Sequence, residues 1–107
     1  MASLTRPVRL RPFQLAIDSG HADEVPAAAF NLGVLREEQG DPAGAAAAYQ
    51  LAIDSGHADL APAAAYNLGV LREQQGDPAG AAAAYQLAID SGHADAAALA
   101  RKQMGHL

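Results

Sequence analysis

Cysteine and tryptophan are absent from this chain, and its aromatics are three Tyr and two Phe. Without cysteine there is neither a disulfide framework nor a thiolate metal site. Small secreted domains usually need such staples, so the expectation is a soluble, cytoplasmic protein. No apolar run approaches membrane-spanning length. The opening stretch MASLTRPVRLRP lacks the apolar centre of a signal peptide. Val, Ile and Thr are scarce, which disfavours strands. Catalytic signatures are missing too: there is no cysteine nucleophile, no G-x-S-x-G and no phosphate-cradling loop. The GDPAG stretches lack a following Lys and carry an acid. Ser19, Ser55 and Ser91 lie near histidines, but a triad needs side chains converging from separate segments. The chain is expected to be no enzyme and to use no cofactor.

What is abundant is alanine, 28 of 107 residues. Alanine is the best helix former, and a core made of it forms by close helix approach. The fold class is read as all-α. The net charge of −5 is unevenly spread. Arg6, Arg9 and Arg11 are the only charges before Asp18. From Asp18 to Ala100 there are 12 acids and 2 arginines, a net of −10. An acidic body repels nucleic acid and anionic membrane, so neither is expected as a partner. A neutral to basic protein or peptide is.

The nonapeptide LAIDSGHAD begins at Leu15, Leu51 and Leu87. Shifted by 36 residues, the sequence nearly superimposes on itself. Residues 24–59 and 60–95 differ only at Glu24/Leu60, Val25/Ala61, Phe30/Tyr66 and Glu38/Gln74. A fixed period of this size signals a solenoid. Asp41-Pro42 reads as an N-cap followed by the first helical residue, and the helix it opens should run to about Ser55. Gly56 suits the left-handed conformation that closes a helix. Asp59 is the expected cap of the next helix, Pro62 falls in its first turn, and Gly76 ends it. In SGHAD, then, Gly stops one helix and Asp starts another.

The stretch NLGVLREEQGDPAGAAAAYQLAI resembles a tetratricopeptide repeat. The resemblance rests on Leu32-Gly33 and Leu68-Gly69, on the small residues Ala45, Ala81, Ala52 and Ala88, on Tyr49 and Tyr85, and on the QGD turn. Three features depart from it. Ala29 and Ala65 stand at the family's first aromatic, Arg36 and Arg72 at its Tyr, and SGHAD at its closing Pro. NLGVL and SGHAD look like the related Sel1-like repeats. The resemblance implies a right-handed solenoid of antiparallel helix pairs over roughly residues 12–107. Residues 1–11 form a basic arm, 12–23 a half unit, 24–59 and 60–95 full units, and 96–107 a second half unit.

Two functional readings follow. The equivalent His21, His57 and His93 could suggest metal, but neighbouring helices pack about 8–10 Å apart, too far for equivalent histidines to share an ion. A turn or cap role is expected, with no metal site. The better candidate is a surface. The resemblance places Ala27, Phe30, Asn31, Val34, Glu37 and Glu38 on the inner face of one first helix, and Ala63, Tyr66, Asn67, Val70, Glu73 and Gln74 on that of the next. These positions share one helical face. An exposed aromatic beside an amide can anchor a peptide and bond its backbone. The expected function is a non-enzymatic module binding a peptide or helix on this concave face. The alternative is a structural or designed scaffold that self-associates head to tail, joining Phe13, Leu15 and Ile17 of one copy to Leu99 and Met104 of another.

Overall fold

A computed structural model describes residues 24–107. The basic arm, the first half unit, His21 and the apolar positions Phe13, Leu15 and Ile17 lie outside the described residues. Five helices follow in order: α1 (Val25–Glu38), α2 (Pro42–Asp54), α3 (Leu60–Gln74), α4 (Pro78–Asp90) and α5 (Ala94–Met104). There is no strand among the described residues, and none of their helices is long and apolar enough to cross a membrane.

Local chemistry sets the helix ends. The Asp41 carboxylate accepts the Gly44 N–H at 2.9 Å, and Asp77 accepts that of Gly80 at 2.9 Å. Each is followed by a Pro in the first turn, where a missing N–H has no partner to lose. The Gly44 N–H and then the guanidinium of Arg36, 3.0 Å away, hold the Asp41 carboxyl below the usual range. Gly56 and Gly92 close α2 and α4 at φ 69° and 78°, a region that disfavours any side chain with a Cβ.

The start of α3 corrects one sequence expectation. Asp59 occupies the N-cap position but its side chain makes no capping bond. The His57 ring does that work: its Nδ1 accepts the N–H groups of Asp59 at 3.2 Å and Leu60 at 3.1 Å. His93 repeats the device, accepting the Ala96 N–H at 3.2 Å. Ser completes the turn, since Ser55 Oγ donates to the Ala52 carbonyl and accepts the His57 N–H. With Nδ1 accepting, the neutral His93 ring carries its proton on Nε2, which lies 3.3 Å from Asp59 Oδ1. Asp59 therefore ties its own turn to the next turn along the stack.

The helices pack as antiparallel neighbours, α1 on α2, α2 on α3, α3 on α4 and α4 on α5. The first helices of successive units also touch, α1 with α3 and α3 with α5, whereas α2 and α4 do not. The first helices thus converge as the inner layer, and the second helices splay on the outside. The architecture is an all-α repeat solenoid.

The core explains the alanine content. Ala29, Ala45, Ala52 and Ala64 pack with Tyr49, Leu68 and Leu71, and Ala65, Ala81, Ala88 and Ala100 pack around Tyr85. Tyr49 and Tyr85 are the largest fully buried side chains, and no charged side chain is buried among the described residues. Each ring lies against a glycine of the preceding helix. A Cβ built on Gly33 would fall 2.5 Å from Tyr49 Cε1, and one on Gly69 would meet the Tyr85 ring in the same way.

Candidate functional site

The inner layer carries two clefts that share lining residues. The first, of about 370 Å³, lies between α1 and α3. It is lined by Val34, Glu37 and Glu38 on one side and by Tyr66, Asn67 and Val70 on the other, with the edge of Tyr49 below. The second, of about 290 Å³, lies between α3 and α5. Ala63, Tyr66 and Asn67 form one wall, and Ala96 and Leu99 the other, with His93 and Asp95 at its end. Tyr66 and Asn67 line both, so they form the ridge of one groove.

Of the twelve inner-face residues named from the sequence, the first cleft gathers Val34, Glu37, Glu38, Tyr66, Asn67 and Val70, and Ala63 lines the second. The other five, Ala27, Phe30, Asn31, Glu73 and Gln74, line neither cleft. Asn31 and Gln74 are exposed. Phe30 is half-buried and meets Tyr49 edge-on, with ring centroids 6.0 Å apart; Tyr66 and Tyr85 lie 5.9 Å apart at a tilt. The inner aromatics therefore rest on the buried tyrosines of the second helices.

Glu37 and Glu73 have an internal partner. The Tyr49 hydroxyl donates to Glu37 Oε1 at 2.5 Å, and the Tyr85 hydroxyl donates to Glu73 Oε1. Asn67 lies beside the Tyr49 hydroxyl and Gln103 beside that of Tyr85. Each tyrosine hydroxyl is thus bonded to the acid of its own unit, with an amide of the next unit nearby. Burial, then the bonded glutamate and its charge, push both phenols well above their usual range.

That shift has a pH consequence. In the unfolded chain tyrosine ionises near pH 10, whereas in the fold both hydroxyls keep their protons further up. The stabilisation is complete below pH 10 and is lost as pH rises beyond it, because the unfolded chain releases protons first. Urea midpoints are expected to fall steeply between about pH 10 and pH 11.5. In the Tyr49→Phe/Tyr85→Phe double variant that slope should flatten; an unchanged slope would show that other groups carry it.

Tyr49, His93, Asp95, Ala96 and Leu99 line the groove but were not among the sequence candidates. Leu99 was available to the same reasoning, since it stands 36 residues after Ala63, a position already placed on the inner face. Among the described residues no group of three or more His, Asp or Glu is arranged to hold a metal ion.

A tetratricopeptide repeat profile matches residues 13–59 and again 54–102. The chain belongs to the tetratricopeptide repeat family. Repeats of this family generally mediate protein–protein interaction. No curated protein and no solved structure matches the chain at a significant level.

Proposed function

We propose that this tetratricopeptide repeat chain is a non-enzymatic binding module that holds a peptide or helix of a neutral to basic partner in the groove along α1, α3 and α5. The observation carrying this reading is the pair of adjoining clefts that share Tyr66 and Asn67. A continuous groove on converging helices offers a segment more contact than isolated surface residues do. Its chemistry suits a peptide: aliphatic walls at Val34 and Val70, an aromatic ridge, an amide able to bond a backbone, and acids at the rim. Glu37 and Glu38 line the first cleft, with no Lys or Arg among its described lining residues, which disfavours an acidic ligand. The longer SGHAD turn, which looks like that of Sel1-like repeats, supports the groove indirectly by capping α3 and α5 through His57 and His93.

The test uses the full chain and a library of capped hexapeptides, followed by amide resonances. Binding should move Val34, Tyr66, Asn67 and Val70 and leave Leu51, on an outer helix, in place. Val34→Arg should abolish the response without altering the melting midpoint, because Val34 is 37% exposed. Shifts confined to α2 and α4 would put the site on the outer face and end this reading.

A further inference from the structure

The two clefts share a ridge but differ in character. Among the described residues, the charged lining of the first is Glu37 and Glu38. The neighbouring Arg36 is turned away, bonded to Asp41. Glu37 accepts the Tyr49 hydroxyl, which holds its carboxylate in a set place beside the cleft. A long cationic side chain can lay its stem over Val34 and Val70, with its head against the Tyr66 ring and the carboxylates. The second cleft is more apolar. Ala63, Ala96 and Leu99 line it, and Leu99 is a large exposed side chain where the preceding unit has Ala63. Its His93 ring is engaged at both nitrogens, by the Ala96 N–H and by Asp59, leaving Asp95 as the one acid among the described lining residues.

We propose that the groove selects a segment carrying a Lys or Arg for the cleft between α1 and α3 and a large apolar side chain for the cleft between α3 and α5. This rests on the groove reading above and specifies its ligand. The spacing follows from the helices. The clefts flank α3, and adjacent helices lie about 8–10 Å apart, so the two side chains must be separated by about 10 Å. A polyproline-II chain has three residues per turn and rises 3.1 Å per residue, which puts positions i and i+3 on one side about 9 Å apart. The intervening backbone then crosses the Tyr66–Asn67 ridge, where the Asn67 amide has donor and acceptor capacity to bond it.

The probe is the capped peptide Gly-Arg-Pro-Pro-Leu-Gly, titrated into the full chain by calorimetry. Replacing its Arg with Glu, replacing its Leu with Ser, or moving Arg next to Leu should each weaken binding about tenfold or more. Glu38→Gln should weaken the parent peptide but not one with norleucine in place of Arg. Leu99→Ser should weaken the parent but not the Ser-containing peptide. Equal binding of the Glu peptide, or preferences that persist in both variants, would overturn the proposal. If peptides bind in the groove, by the resonances named above, but show none of these preferences, the two-cleft assignment fails and the groove reading stands. If no peptide, including members of the hexapeptide library, moves those resonances, both fall.

Discussion

Replacing Tyr49 or Tyr85 with Ala is expected to cost about 3–5 kcal/mol, a large part of what holds a domain of this size together. The reason lies in the composition. The buried residues around Tyr85 are all alanine and those around Tyr49 are alanine and leucine, so no second buried aromatic is present to close the gap. Removing the ring leaves a cavity lined by rigid helix backbone at Gly33 or Gly69. It also removes the support for Phe30 or Tyr66, and with it the position of the groove ridge. Tyr→Phe separates packing from polarity. It keeps the ring and loses one hydrogen bond to a glutamate, a change of about 1–3 kcal/mol. Urea unfolding followed by circular dichroism measures both. If Tyr→Ala and Tyr→Phe cost the same, the hydroxyl–glutamate bond holds the structure and the ring does not.

The legibility of this fold in the sequence varied with the range of the interaction concerned. Asp41-Pro42 and Asp77-Pro78 were readable because an N-cap and its proline act within one turn. Gly56 was readable because a left-handed closing residue needs no distant partner. Asp59 takes the expected N-cap position of α3, but its carboxylate, the commoner capping group, bonds no amide there. The turn or cap role expected of His57 is the one its ring performs. Whether the His57 ring nitrogen reaches those amides instead depends on the path of the turn, which residue type does not report. The inner face was expected as a helical stripe, and the structure brings six of its twelve named residues into one cleft. The link from Glu37 to Tyr49 spans 12 residues across two antiparallel helices. From spacing on α1 alone, Glu37 looks like a free groove acid. Only the approach of α2 gives it a partner. Tyr49 enters the sequence reading only through the family resemblance; in the fold it is buried and its edge also lines the cleft, because the small residues around it let the helices come close.

That closeness underlies the second large effect. Gly33→Ala and Gly69→Ala are each expected to destabilise by about 1–3 kcal/mol, although both glycines sit inside helices, where Ala is intrinsically better by about 0.5–1 kcal/mol. The sign is decided by space. The new Cβ at position 33 would lie 2.5 Å from Tyr49 Cε1 and 2.6 Å from Cδ1, inside any ordinary carbon–carbon contact. The ring is 1% exposed and its hydroxyl is bonded to Glu37, so it has no room to swing away. The helices must separate instead, and the Ala45 contact beneath them loosens too. A double-mutant cycle isolates this clash. Gly33→Ala should cost much less in a Tyr49→Leu background, where the shorter side chain leaves room for the methyl. Gly40, by contrast, has nothing near a Cβ but sits at φ 73°, so its substitution tests backbone strain alone and should be insensitive to Tyr49. Equal costs for Gly33→Ala with and without the Tyr49 ring would mean that the glycine is not kept small by that contact. The close approach of α1 and α2 would then need another cause.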